Sequence, residues 1–193
     1  MNRIVTISRE FGSDGKVIGK MTAEKLGIKC YDDELITRIA QETGFAEDFI
    51  REHSEYTSGR NWFENALVTH DYNGHTLLDG IWGIQTAVIK EIAERESAVI
   101  VGRCADYILR GKADLLTVFI HADKETRISR ISALFNESPA ASEKRLRDMD
   151  KRRKAYYQTY TDMKWGDLHN YHICLDSGTF GPEKCVEIIC SLY

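Results

Sequence analysis

Five short apolar runs, four of them followed by a stretch of helical periodicity, constrain this chain more than any other feature. The runs lie at residues 3–8, 28–31, 98–101, 115–122 and 171–175. Helical patterns fill 16–27, 33–42, 46–55, 76–95, 123–135, 139–160 and 181–192. In the fourth of these, Leu77, Leu78, Ile81, Ile84, Val88 and Ile92 recur at helical spacing. Strands separated by helices join as βαβ units, which build a parallel sheet with helices on both faces. The near-continuous apolar character of 115–122 marks a strand buried on both sides. The fold class expected is therefore α/β: a three-layer α/β/α arrangement around a five-stranded parallel sheet, as one domain over 1–193. Residues 57–75 are polar with interspersed aromatics and show weak periodicity.

Composition excludes several classes. The 193 residues are 42% hydrophobic, and no stretch approaches the length of a membrane span. The net charge of −4 argues against general nucleic-acid binding. Cysteines 30, 104, 174, 185 and 190 are odd in number and lack C-x-x-C spacing, so neither a disulfide framework nor a zinc site is expected. Met-Asn-Arg leads straight into the first strand, without the apolar segment of a signal peptide. A reducing cytoplasm is the expected location. The six histidines (53, 70, 75, 121, 169 and 172) show no metal-ligand spacing, and the metal ligands stay unassigned.

Ligands of parallel sheets bind beyond the C-terminal strand ends. Polar clusters follow the strands at Gly12–Lys16, Asp32–Arg38, Arg103 and Asp176. The first is a glycine-bearing turn between a strand and a helix, where amides, helix dipole and a lysine combine to bind phosphate. It departs from the pattern G-x-x-x-x-G-K-[ST]: Val17 stands where Ser or Thr would hold magnesium, and Glu10 where the first glycine would be. An ordinary strand-to-helix turn is the alternative. Asp32 at a helix start is read either as a ligand group or as a simple cap. Arg38 is read as a ligand group or as a solvated surface residue. Arg103, just after a buried strand, suits bidentate phosphate binding or an ion pair to a helix. Residues 144–154 carry seven basic against two acidic side chains, read as a phosphate-closing helix or as a solvated face.

Larger blocks carry a resemblance. They are Ile-Ser-Arg-Glu-Phe-Gly-Ser-Asp-Gly at 7–15, Ala-Glu-Lys-Leu-Gly-Ile at 23–28, Tyr-Asp-Asp-Glu-Leu-Ile at 31–36 and Val-Gly-Arg-Cys-Ala-Asp at 101–106. Tyr-Tyr-Gln-Thr-Tyr-Thr at 156–161 and Lys-Trp-Gly-Asp at 164–167 add to them. Together they resemble the cytidylate kinase-like family of bacterial P-loop proteins over almost the whole chain. The resemblance implies a nucleoside monophosphate kinase that moves the γ-phosphate of ATP-Mg2+ to CMP or dCMP. It implies ATP phosphates on Gly12, Ser13, Asp14, Gly15 and Lys16, and an acceptor held by Asp32, Arg38 and Arg103. It implies Lys16, Arg147, Arg152 and Arg153 as catalytic cations, the arginines on a lid at about 136–165. The acceptor-binding segment would span about 33–96.

Departures from the family pattern are visible. The residues between Asp32 and Arg38 differ, Cys104 replaces an acid, and Val101 stands where another acid is usual. A gapless alignment puts Gly15 at the lysine position; a one-residue shift puts Lys16 there, with Arg9 and Lys20 as further candidate cations. Two other functions stay open. One is a kinase with another small phosphorylated or hydroxylated acceptor, its pocket shaped by Trp62, Phe63, His70 and Tyr72. The other is a nucleotide-binding module without catalysis. Leu77, Leu78 and Trp82 would face either the core or a second copy of the chain in a homo-oligomer.

Overall fold

The computed structural model describes residues 2–53 and 77–193. Its strands are β1 (Arg3–Arg9), β2 (Lys29–Tyr31), β3 (Ala98–Val101), β4 (Asp114–His121) and β5 (Ile173–Asp176). Its helices are α1 (Gly15–Leu26), α2 (Asp33–Thr43), α3 (Glu47–His53), α4 (Leu77–Arg95), α5 (Ala105–Ile108), α6 (Lys124–Phe135), α7 (Pro139–Thr161) and α8 (Ser177–Leu192). The five strands form one sheet in the order β2-β3-β1-β4-β5, and every pairing is parallel. The expected three-layer α/β fold is the one observed. The aromatic segment 57–75 lies outside the described residues.

Alternation along the strands explains the layers. Side chains of successive strand residues point to opposite faces. Ile4, Ala98 and Ile100 join one apolar cluster with Leu35, Ile39, Ile81, Ile89 and Ile92 of α2 and α4. Val5, Ile7, Val99, Val101, Val118 and Ile120 join a second with Ile18 of α1 and Val186 and Ile189 of α8. With both faces covered, the central strands read as continuous apolar runs. A third, aromatic cluster holds Phe119, Tyr156, Tyr157, Trp165 and Tyr171. Trp82 stacks on Tyr160 at 4.4 Å and so packs inward, while the side chains of Leu77 and Leu78 are outside the described set.

Among the described residues, two element starts differ from the sequence reading by more than one residue. Strand β5 starts at Ile173 rather than 171, because the Tyr171 ring turns in against Phe119 at 4.9 Å. Helix α8 starts at Ser177, four residues early, because Asp176 caps a first turn by accepting from the amides of Gly178 and Thr179. That turn joins the main helix across a kink at Gly181. Among the described residues, no helix is long and apolar enough to cross a membrane.

Candidate active site

Strand β1 delivers the chain into the turn Glu10–Asp14, from which α1 departs. Gly12 has φ +78°, and a Cβ there would sit 2.9 Å from Ile131 Cδ1, so the turn and its packing on α6 both require glycine. Asp14, at the N-cap of α1, is left-handed with φ +59° and makes no side-chain capping hydrogen bond. Its carboxylate pairs instead with Arg130 Nε at 2.8 Å. The first amides of α1, at Gly15, Lys16 and Val17, have no preceding turn to bond to. An uncapped helix N-terminus therefore faces the end of the sheet. Ser13 does not face it: its Oγ lies 2.9 Å from the Glu10 carbonyl and 3.1 Å from that of Ile120, fully buried.

Beyond this turn lies a cavity of about 910 Å³. Arg9, Gly12, Asp14, Gly15, Lys16, Asp32, Asp33, Arg103, Arg130 and Arg153 line its polar side. Ile36, Ile131, Leu134 and Met149 line its apolar side. Of the residues singled out from sequence, Arg9, Gly12, Asp14, Gly15, Lys16, Asp32, Arg103 and Arg153 meet here. Arg38 does not: its guanidinium sits 2.6 Å from Glu91 on α4, away from the cavity. Arg147 lines a different groove, between α6 and α7, with Lys124, Glu143, Lys151 and Lys154, and Arg152 and Lys20 line neither. One helical face cannot aim positions 147, 152 and 153 at a single point, and burial selects Arg153.

The acids after β2 are not caps. Asp32, at the N-cap position of α2, makes no capping hydrogen bond. Lys16 Nζ lies 2.7 Å from an oxygen of Asp32 and 2.7 Å from one of Asp33. Burial pulls the Lys16 pKa down, but the hydrogen bonds and charges of the two carboxylates outweigh it and hold the ammonium above its usual range. Lys16 thus spans the space between the glycine turn and α2.

Arg103 sits at the sharpest bend in the site. Gly102, Arg103 and Cys104 are successive left-handed residues with φ of 74°, 60° and 53°. Two non-glycine residues in this region store strain on the order of 1–3 kcal/mol each, a cost typical of functional sites. The bend tucks Arg103, 3% exposed, under the cavity. Buried Gln85 on α4 holds it there, with Nε2 donating to the Arg103 carbonyl at 3.1 Å and Tyr156 Oη at 3.2 Å. Gln85 escaped the sequence reading, although a glutamine between Ile81 and Val88 on an apolar stripe was its signal.

A buried ion pair fastens α7 to the turn. Asp150 Oδ2 sits 2.7 Å from Arg127 of α6, and its Oδ1 accepts from the Phe11 amide at 2.9 Å. Arg127 also donates to the Phe11 carbonyl at 3.2 Å, and Arg153 donates to the Arg9 carbonyl at 3.0 Å. Nearby Glu10 has its carboxyl pushed up by burial, against the pull of Arg127. Behind Arg103, burial pushes the Asp106 carboxyl up, against a hydrogen bond from Tyr157 Oη at 2.7 Å. Burial raises the Cys104 thiol far above its usual range, so Cys104 is a packing residue rather than a nucleophile. Among the described residues, no cluster of three or more His, Cys, Asp or Glu side chains is arranged to hold a metal.

A parallel sheet whose strand ends present a glycine turn and converging guanidinium groups defines a protein of the P-loop kinase class. The chain belongs to the cytidylate kinase-like family, whose model matches residues 4–179. It is 32% identical to a cytidylate kinase of Archaeoglobus fulgidus over 96% of this chain and 91% of that one. It is 25% identical to a cytidylate kinase of Methanosarcina mazei, covering 96% and 93% of the two chains. A crystal structure of a protein from Eubacterium ventriosum superposes with a TM-score of 0.76 at 28% identity, covering 99% and 98% of the two chains. The shikimate kinase of Acinetobacter baumannii, solved with shikimate, shares the fold at a TM-score of 0.54 and 18% identity, covering 100% and 92%.

Proposed function

We propose that the protein is a nucleoside monophosphate kinase that transfers the γ-phosphate of ATP to CMP or dCMP. The observation that carries this reading is the convergence of Arg9, Lys16, Arg103, Arg130 and Arg153, from separate elements, on one cavity beside an uncapped helix N-terminus. Its volume of about 910 Å³ falls in the range of small-molecule sites. The amides from Gly12 to Lys16 receive the β- and γ-phosphates. Arg103 binds the acceptor phosphate, and Arg153 stabilises charge on the equatorial oxygens during transfer. As a phosphate oxygen of the acceptor bonds to the γ-phosphorus, the bond to the β-phosphate oxygen breaks and ADP leaves. The acceptor phosphate is already ionised, so no general base is needed.

Asp32 and Asp33 already share one cation, and their hard oxygens fit Mg2+ completed by phosphates and water. The metal would neutralise phosphate charge. The segment 33–96 carries the acceptor; the lid expected over 136–165 is anchored by the Asp150–Arg127 pair and by Tyr156, Tyr157 and Trp165 in the aromatic cluster.

A second reading, a different small phosphorylated or hydroxylated acceptor, is favoured by one observation. The Asp32–Arg38 pair is not assembled, because Arg38 is bound to Glu91. Trp62, Phe63, His70 and Tyr72, assigned to that other pocket, lie outside the described residues. ADP release measured with ATP-Mg2+ and a panel of CMP, dCMP, UMP, AMP and hydroxylated acceptors decides. Fastest turnover with CMP or dCMP is expected. A preference for another acceptor selects the second reading, and ATP binding without turnover selects a non-catalytic module.

A further inference from the structure

Sequence spacing allows two registers for the phosphate turn, and packing discriminates between them. With Gly15 at the lysine position of G-x-x-x-x-G-K-[ST], the first glycine position falls on Arg9. Cation and glycine are then exchanged between two positions of one motif. The structure shows these two positions in contact. A Cβ built on Gly15 would lie 2.4 Å from Arg9 Cβ and 2.7 Å from Arg9 Cγ, distances that no packed side chain tolerates. Arg9 shares its strand face with Val5 and Ile7, the face that α1 covers, so its stem runs beneath the first residue of that helix. Arg9 is buried and lines the cavity together with Gly12, Gly15 and Arg103. Lys16, the cation of the other register, is drawn to Asp32 and Asp33 on the α2 side.

We propose that Arg9, rather than Lys16, is the cation that binds the nucleotide triphosphate in this turn, and that Gly15 is there to admit its side chain. The proposal rests on the reading of the turn as a phosphate site. A strand-end arginine reaches under the helix N-terminus into the volume that a lysine at position 15 would reach from above. Its planar fork takes two phosphate oxygens where an ammonium acts as a point charge. Lys16 is then left to bridge the phosphate turn and the acids of α2.

Two experiments test this without turnover. The first is calorimetric titration of the full chain with ATP and with inorganic tripolyphosphate, CMP serving as the comparison. Arg9→Ala should weaken ATP and tripolyphosphate on the order of 10–100-fold and leave CMP within about threefold, the loss expected of one charge-assisted contact. Lys16→Ala should weaken tripolyphosphate less than Arg9→Ala does. Arg9→Lys keeps stem and charge, and serves if Arg9→Ala does not fold; several-fold weaker tripolyphosphate binding is expected from loss of the fork.

The second is a swap. With Arg9→Gly, the next atom near a side chain at 15 is Ile120 Cβ at 3.5 Å, an ordinary contact. Gly15→Lys alone should destabilise the fold, and Arg9→Gly with Gly15→Lys should recover both stability and tripolyphosphate affinity relative to the single variants. Wild-type protein that binds ATP, with Arg9 variants that bind it equally well or Lys16→Ala as the more damaging change, overturns this assignment alone. Wild-type protein that binds neither ATP nor tripolyphosphate overturns the phosphate-site reading itself.

Discussion

Removing the Asp150 carboxylate should unfasten α7 from the glycine turn, and the structure sets the size of the effect. Asp150 and Arg127 are both buried, with oxygen and nitrogen 2.7 Å apart, and the same carboxylate satisfies the Phe11 amide. An exposed pair would contribute about 0–1 kcal/mol. Breaking a buried pair leaves a charge without its partner and costs about 3–5 kcal/mol. Asp150→Ala strands the Phe11 N–H and leaves the Arg127 guanidinium with Glu10, 3.4 Å away, and the Phe11 carbonyl as its remaining partners, so the lower part of that range applies. For a chain of this length, a loss of 3–5 kcal/mol lowers Tm by about 6–20 °C. Urea and thermal unfolding, followed by the fluorescence of buried Trp165, measure it. The double variant Arg127→Met with Asp150→Leu should recover part of the loss, because a packed apolar pair needs no desolvation of charge, while Glu10 and the Phe11 N–H still lose a partner. A loss below about 1 kcal/mol in Asp150→Ala, or a double variant whose losses simply add, would refute the argument that burial makes this pair a clamp.

Two other outcomes follow from the bends and buried groups around the cavity. Arg103→Ala and Arg103→Gly should both lower kcat/KM by a factor on the order of 10², since each removes one charge-assisted phosphate contact. Yet Arg103→Gly should be the more stable by about 1 kcal/mol, because glycine carries no Cβ penalty at φ +60°. Denaturant melts of the two variants check the second half. Tyr157→Phe removes the donor to Asp106, whose carboxyl burial has already raised. A raised carboxylate in the folded state loses stability as pH climbs from its ordinary value of 3.8. Removing the donor to the ionised form raises that carboxyl further. The destabilisation of Tyr157→Phe relative to the parent should therefore be greatest in alkali, about 1.5–3 kcal/mol, and shrink as pH falls toward 4. Urea melts from pH 9 to pH 4 test this, and a loss independent of pH would separate Asp106 from the pair.

The five strands, their parallel pairing, the layers and the position of the glycine turn were legible in the chain itself, whereas the strand order β2-β3-β1-β4-β5 was not. Periodicity is a local signal, and the parallel fold follows once runs such as 98–101 and 115–122 are seen to be apolar on both faces. The same local signals placed Gly12, Asp14, Gly15, Asp32 and Arg103 at strand ends, where a parallel sheet gathers its ligands. They missed the single turn α5, Ala105–Ile108, and the early start of α8, which depends on the cap at Asp176.

Which of many cations serve the site was decided only by tertiary packing. In the basic run 144–154, seven side chains look alike in sequence, and the rotation of α7 against α6 buries Arg153 while Arg147 and Arg152 point elsewhere. Arg38 keeps its family spacing from Asp32, yet Glu91, 53 residues away, holds it outside the cavity. Arg130 enters because α6 crosses the turn, where it pairs with Asp14, a contact between segments more than a hundred residues apart. Local patterns report which face of an element is apolar. They carry no record of which distant element will cover it, and charge, burial and aim at a site are properties of that crossing.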